Sequence, residues 1–157
     1  MEYYLRTKNY RTTTVEKKDK AIVFQLKHND LAGRKATAEL PNTHYEIEHA
    51  NFWGSHYNII KDGNRIGEVT KNWKGERLIH LKDKDYQPIQ FQMKYKGFLT
   101  FQFEVWVNEK YHLMTLIPKK DSVKTYYQII VHDIAYNPFP INELMVIIAY
   151  VVWNKGF

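Results

Sequence analysis

The side chains that could do chemistry in this chain are seven histidines, two serines and clustered lysines. The sequence contains no cysteine, which excludes thiol nucleophiles and thiolate metal sites. Ser55 and His56 are adjacent, but neighbouring residues on a strand point to opposite faces of a sheet. The chain also lacks the G-x-S-x-G sequence in which a sharp turn presents a nucleophilic serine. These features argue against a hydrolase that uses a serine nucleophile.

The histidines do not follow a metal-binding pattern, since no pair has the H-x-x-x-H or H-E-x-x-H spacing. His44, Glu46 and Glu48 come nearest to a ligand set because they would share one strand face, and we interpret them as an exposed polar face. The segment 83–85 lacks the spaced acidic ligands and the glycine of an EF-hand loop. Glycine-rich phosphate loops are also absent from the sequence. We therefore expect no metal and no cofactor.

Positive charge is the remaining chemical signal, with a formal net charge of +6 spread along the chain. Lysines cluster at three predicted turns, and two clusters at one end of the fold would form a site for a phosphate or a lipid headgroup. The alternative is scattered, solvated charge. The first group is Lys17, Lys18 and Lys20. The candidate anion-binding residues are the other two groups, Lys71, Lys74 and Arg77, and Lys119, Lys120 and Lys124.

Stacking of nucleic-acid bases would need exposed aromatic rings within a basic stripe. Trp73, Trp106 and the Tyr126-Tyr127 pair are the aromatic candidates, but no such stripe surrounds them in the sequence. We interpret these rings as core or inter-strand packing. The sequence therefore predicts no specific nucleic-acid partner.

The elements that must position these residues are strands, because apolar and polar residues alternate along much of the chain. Segments 89–95 and 99–107 each present one apolar face to a core. Short turns are indicated at 62–64, 73–76 and 108–110, where glycine or asparagine permits a tight reversal. Further strands are predicted at 3–8, 21–28, 35–40, 45–49, 56–61, 65–71, 77–82, 111–117 and 125–131.

The final element, residues 142–153, is apolar all the way round from residue 144 to residue 153, where no residue is polar except for the hydroxyl of Tyr150. Its β-branched residues would suit a strand. Asn142 as a cap, Glu143 in the first turn, the prolines at 138 and 140 and the Lys155-Gly156 end favour a helix. A helix of this length reaches only ~18 Å, which is too short to span a bilayer.

A helix with no polar stripe has to be enclosed by other elements, because no face of it can be left in water. The inward faces of a curved antiparallel sheet would supply that enclosure. We therefore predict a mainly β fold, a closed antiparallel β-barrel of about ten to twelve strands wrapped around the helix at 142–153. Residues 1–157 would form this single domain.

This pattern resembles the tubby C-terminal-like superfamily, which includes tubby domains, phospholipid scramblases, plant LURP-one-related proteins and small bacterial relatives. The resemblance is carried by segments 51–54, 61–68 and 71–75 and by the closing helix at 142–153. It implies a barrel closed around a C-terminal helix and, from tubby domains, phosphoinositide binding at a basic surface. No tubby-type phosphoinositide motif can be laid onto this sequence, so the resemblance implies no site residue.

Three functional hypotheses remain open. The favoured one is a non-enzymatic binding module whose basic rim contacts anionic lipid or phosphate-bearing ligands. The alternative is a lipocalin-like barrel carrying a small apolar ligand, which would require a hollow interior and an external terminal segment. The third is an enzyme whose active-site residues are dispersed in sequence.

Location and assembly are less constrained. The lack of cysteine fits a reducing compartment, and the first residues have no apolar segment typical of a secretory signal. We expect a cytoplasmic protein in peripheral contact with a membrane and without a transmembrane segment. The oligomeric state is left open.

Overall fold

The structure, a computed structural model, describes residues 1–29, 34–51, 55–97, 102–122, 124–132 and 137–154. Twelve strands and one helix lie in these ranges. The strands are β1 (Glu2–Asn9), β2 (Thr12–Lys17), β3 (Ile22–His28), β4 (Lys35–Leu40), β5 (Thr43–His49), β6 (Tyr57–Lys61), β7 (Asn64–Lys71), β8 (Arg77–Lys82), β9 (Pro88–Lys96), β10 (Gln102–Val107), β11 (Tyr111–Lys120) and β12 (Thr125–Val131), and the helix is α1 (Ile141–Trp153).

The strands form a closed antiparallel barrel in which each strand pairs with its neighbours in the sequence. The barrel closes between β1 and β12, whose register runs from Glu2↔Ile130 to Leu5↔Tyr127. Because consecutive strands run in opposite directions, successive connections lie alternately at the two ends of the barrel. The predicted closed barrel of about ten to twelve strands is confirmed.

Helix α1 fills the interior of this barrel. Its residues from Leu144 to Val152 are all buried, and they join a single core cluster to which every one of the twelve strands contributes. Burial on every face explains why the segment carries no polar stripe. The hollow interior that an apolar-ligand carrier needs is thus occupied by the chain's own helix.

The start of the helix differs from the prediction. Pro140, not Asn142, is the N-cap residue, and it makes no side-chain capping hydrogen bond. The backbone N–H of Leu144 donates to the Pro140 carbonyl at 3.0 Å. Capping by the side chain of Asn142 was wrong, because the N-cap is Pro140, two residues earlier, and Asn142 is an exposed residue of the first turn. Glu143 does lie in the first turn, and Lys155-Gly156 lies outside the described residues.

Two strand predictions also need correction. Strand β2 was missed because Thr13, Thr14 and Val15 are all buried, so the segment shows no alternation. A register shift follows Val15 in its pairing with β3. Strand β11 continues to Lys120, three residues beyond the predicted end at 117. Residues 52–54 of the family-like segment and 99–101 of the predicted strand 99–107 lie outside the described residues.

The predicted turns are present where glycine or asparagine indicated them. Asp62 and Gly63 connect β6 to β7 with φ values of 49° and 82°, the combination of a two-residue type I′ hairpin. Asn108 and Glu109 both have positive φ between β10 and β11. Gly75 has φ 81° between β7 and β8.

Candidate anion-binding end

The two ends of the barrel differ in charge. We call one the basic end, formed by connections β1–β2, β3–β4, β5–β6, β7–β8, β9–β10 and β11–β12 with the two adjoining residues of each strand. The neutral end consists of the opposite connections and strand termini. Helix α1 enters at the neutral end and finishes at the basic end, since it follows β12.

Among the described residues, the basic end carries twelve Lys or Arg against three acidic residues, whereas the neutral end carries eight of each sign. The acidic residues at the basic end are Glu48, Glu76 and Asp121. Such a segregated surplus of one sign raises the local concentration of counter-ions and of anionic partners. The basic residues are Lys8, Arg11, Lys27, Arg34, Lys35, Lys71, Lys74, Arg77, Lys96, Lys119, Lys120 and Lys124.

The six candidate residues from the sequence all belong to the basic end, as two separate groups. One group lies at the β7–β8 turn and the other at the β11–β12 turn, with β9 and β10 between them. The third lysine group, Lys17, Lys18 and Lys20, lies at the neutral end, because the β2–β3 connection points the opposite way. Strand direction thus places two of the three lysine groups at the basic end and one at the neutral end.

Arg77 is held inside the fold, unlike its neighbours in sequence. Its side chain is buried, Nη1 donates to the Ser55 carbonyl at 3.2 Å, and the guanidinium carbon lies 5.2 Å from the centre of the Tyr57 ring. Lys71 and Lys74 are exposed at the same turn. The exposed charge of this group therefore comes from the two lysines, while Arg77 supports the wall behind them.

Closure of the barrel adds basic residues that sequence reasoning did not select. Lys8 and Arg11 lie at the β1–β2 turn, which is next to the β11–β12 turn because β12 pairs with β1. Lys124 Nζ donates to the backbone carbonyl of Lys8 at 3.3 Å. Nothing in the local sequence signals this contact between residues 116 positions apart. Only the pairing of the first and last strands creates it.

A pocket of about 460 Å³ opens at this junction, and we call it the mouth pocket. Its apolar lining includes Leu5, Val152 and Trp153, and Lys8 and Lys124 are the charged residues among the described part of its lining. Tyr127 also lines it, and burial raises the pKa of Tyr127 to about 12, which keeps the phenol neutral at physiological pH. The remaining lining residues are Thr7, Asn9, Tyr10 and Thr125. The pocket thus combines an apolar floor with a cationic rim.

Two large aromatic side chains project from the basic end. Trp73 is 89% exposed at the β7–β8 turn, and Tyr10 is 64% exposed at the β1–β2 turn. The packed position expected for Trp73 was wrong, because the hairpin tip carries its ring beyond the strands. Lys74 Nζ lies 5.3 Å from that ring. Trp106 does pack as expected, stacking on His112 with 4.8 Å between ring centres.

The residues tested for catalysis and metal binding are engaged in other contacts. Ser55 Oγ accepts a hydrogen bond from Asn51 Nδ2 at 3.0 Å, and His56 Nε2 lies 2.6 Å from Glu68 Oε2. The described residues include no group of three His, Cys, Asp or Glu able to hold a metal ion. In the same part of the chain, no helix has the length and apolarity needed to cross a membrane.

The polar face predicted on β5 is present. His44 Nε2 lies 3.3 Å from Glu46 Oε1, and its other ring nitrogen contacts Glu39. These contacts with Glu39 and Glu46 raise the pKa of His44, whereas the hydrogen bond with His44 lowers the pKa of Glu46 against the opposing effect of burial. His44 therefore links Glu39 of β4 and Glu46 of β5 at the surface of the barrel wall.

Comparison with known proteins gives no match to any family model, curated protein or solved structure.

Proposed function

We propose that the chain is a non-enzymatic module that binds anionic membrane lipid through its basic end. The observation that carries the proposal is the separation of charge, with twelve basic residues against three acidic ones among the described residues of the basic end. Each lysine or arginine near an anionic membrane contributes ~1 kcal/mol of attraction. Several exposed lysines acting together would hold a small domain at the surface.

The exposed aromatic residues favour a membrane over a soluble phosphate compound. Trp73 and Tyr10 project from the same end as the lysines. Tryptophan and tyrosine have amphipathic rings that occupy the headgroup region of a bilayer. The mouth pocket, with Lys8 and Lys124 at its rim, would receive one headgroup or the start of one acyl chain.

The architecture also supports membership of the tubby C-terminal-like superfamily as part of this proposal. A twelve-stranded closed barrel around a buried C-terminal helix is the arrangement that the sequence resemblance implied. A cytoplasmic location with peripheral membrane contact follows from the same proposal. The fold alone does not carry the binding activity, which depends on the charged end.

Vesicle sedimentation tests the proposal. We expect the protein to sediment with phosphatidylserine-containing vesicles at low salt and to be released from them at high salt, because salt screens the attraction. It should not sediment with vesicles of pure phosphatidylcholine. Reversing Lys71 and Lys74 to Glu should weaken binding at least about tenfold. Equal sedimentation with both vesicle types, or with neither, would overturn the proposal.

Matched variants separate the basic end from general charge. Lys17→Glu with Lys18→Glu makes the same charge change at the neutral end and should leave most of the binding intact. Trp73→Ala should weaken binding, whereas Tyr86→Ala, which removes an aromatic ring that is 81% exposed at the neutral end, should not. Added soluble inositol phosphate and a single-stranded oligonucleotide distinguish other ligands: tighter binding to either than to vesicles would contradict the membrane assignment.

A further inference from the structure

The wall of the barrel opens between β7 and β8 at the neutral end. Their register runs from Lys71↔Arg77 only as far as Glu68↔His80. Beyond that pair, β7 continues along β6 to the hairpin, and β8 continues along β9 to Lys82↔Pro88. Residues 65–67 of β7 and 81–82 of β8 therefore have no register partners in each other, and the gap opens beyond Gly67, which still lies against His80 and Leu81. We call this gap the notch.

A bulge in β7 lies next to the gap. Ile59 pairs with Gly67 and Ile60 pairs with Arg65, so Ile66 is the extra residue opposite β6. A bulge bends its strand and increases the local twist. The bulge at Ile66 lies two residues from Glu68, where the pairing with β8 ends.

A pocket of about 680 Å³ occupies the notch. It is lined by the two separated strands, by the β8–β9 turn and by Pro138, Phe139 and Pro140, which lead into α1. Ile66, Leu81 and Phe139 give it apolar surface. The volume is within the range of ~300–1,000 Å³ typical of small-molecule sites.

The charge available to a ligand in the notch is positive. Lys61 and Arg65 form ion pairs with Glu143 at 2.7 Å and Glu68 at 2.8 Å. Lys82 and Lys84, which are exposed, have no ion-pair partner among the described residues. An incoming anion would meet these two lysines without breaking an existing pair.

The acidic residues of the lining are already engaged. Asp83 Oδ1 accepts hydrogen bonds from the backbone N–H groups of Asp85 at 2.8 Å and Gln87 at 2.9 Å, which fix the turn. The second acidic residue, Glu68, forms a hydrogen bond with His56. This bond lowers the pKa of Glu68 despite burial, so its carboxylate is ionised and paired. Among the described residues that line the notch, none is serine, threonine or cysteine. These features favour binding over catalysis.

We propose that the notch binds a small amphipathic anion, a molecule with a carboxylate or phosphate head and an apolar body. Lys82 and Lys84 hold the head at the rim, and the body lies against Ile66, Leu81 and Phe139. The site is at the end of the barrel opposite the membrane-binding surface proposed above, so the two proposals stand independently. Because α1 occupies the barrel interior, the ligand enters from the side of the wall.

Isothermal titration calorimetry below the critical micelle concentration tests the site. The probes are dodecyl phosphate, dodecanoate, neutral dodecyl maltoside and inorganic phosphate. We expect the notch to bind one molecule of an anionic amphiphile per chain, separately from any bound at the mouth pocket. The tighter-binding of the two anionic probes identifies the head, and the neutral amphiphile should give no measurable heat. Inorganic phosphate should bind at least about tenfold more weakly, because it lacks the apolar body.

Variants assign the binding to the notch. Lys82→Glu with Lys84→Glu should weaken dodecyl phosphate or dodecanoate binding at least about tenfold. Ile66→Trp should also weaken it, because the larger ring occupies part of the apolar side of the pocket. Lys17→Glu with Lys18→Glu, the same charge change elsewhere on the neutral end, should bind as the parent does. Thermal melting followed by circular dichroism shows whether each variant folds. If Ile66→Trp does not fold, the variant with Lys82→Glu and Lys84→Glu, whose side chains are exposed, still tests the site. No binding of either anionic probe by the parent chain, or equal binding by the Lys82/Lys84 and Lys17/Lys18 variants, would overturn the proposal.

Discussion

The phenol of Tyr45 donates a hydrogen bond of 2.5 Å to Glu143 Oε1, which joins β5 to the first turn of α1 across 98 residues of sequence. Lys61 Nζ lies 2.7 Å from the same oxygen. Burial is the main cause, and Glu143 a further one, of a raised pKa at Tyr45, so its phenol stays protonated as the donor. This three-residue contact fixes where the helix enters the barrel.

Replacing Glu143 with Ala should therefore destabilise the protein. The change leaves two donors without their shared acceptor, which we expect to cost about 2–4 kcal/mol in the free energy of unfolding. Urea denaturation followed by circular dichroism measures it. Asp85→Ala, at an exposed position of the β8–β9 turn, is the control. Equal midpoints for the two variants would show that Glu143 does not anchor the helix.

Truncation inside the helix tests whether α1 is the centre of the core. Ile147 is fully buried, and Ile147→Ala should lower the unfolding free energy by about 2–5 kcal/mol through the cavity it leaves. The matched control is Ile22→Ala, which removes the same atoms from a side chain that is 53% exposed. Thermal denaturation compares them, and a similar loss at both positions would contradict the enclosed helix.

The revised helix start leads to a second comparison on α1. Asn142→Ala should change the unfolding free energy by less than about 0.5 kcal/mol, because Asn142 is exposed and does not cap the helix. A capping asparagine would cost about 1 kcal/mol on the same substitution. Urea denaturation distinguishes the two values, and a loss near the larger one would restore Asn142 as the cap.

Gly67 occupies a position where no side chain fits. A Cβ atom there would lie 2.2 Å from the backbone oxygen of His80, so β7 would have to move away from β8 at the point where their pairing ends. We expect Gly67→Ala to cost about 3 kcal/mol or more. Gly63→Ala meets open space at a φ of +82° and should cost only about 1–2 kcal/mol. Chemical denaturation ranks the two variants, and the reverse order would contradict this account of β7.

Glu104 should make stability depend on pH in the acidic range. Burial would raise its pKa, but the hydrogen bonds from Lys96 and Trp106 outweigh burial and lower it from the ordinary 4.5. The ionised carboxylate thus stabilises the fold fully above that value, and this contribution is lost as pH falls through the lower pKa of the folded state.

We expect Glu104→Gln to be less stable than the parent by about 1–2 kcal/mol at neutral pH, with the difference shrinking below pH ~4.5. Urea denaturation across this range measures the difference. Glu109→Gln, in the exposed β10–β11 turn, is the matched control and should track the parent. A difference that grows as pH falls would have the wrong sign and would refute the assignment.

Local patterns in the sequence determined most of the elements. Alternation located eleven of the twelve strands, and the Asp62-Gly63 pair located a hairpin because its positive φ values suit few other residues. Residues 144–153 had to be enclosed, since a segment without a polar face cannot contact water favourably. Strand β2 was missed because Thr13, Thr14 and Val15 are all buried, so its residues do not follow the two-residue period.

Tertiary structure alone decided how the charged side chains are grouped. Which turns share an end depends on counting every strand, and a single missed strand reverses the assignment of all the turns that follow it. The contact of Lys124 with Lys8, the burial of Arg77 and the notch between β7 and β8 depend on strand closure and on strand register. Alternation reports which face of a strand is buried, because that is a local property. It does not indicate which distant strand completes the barrel, because that pairing depends on the packing of all twelve strands around one helix.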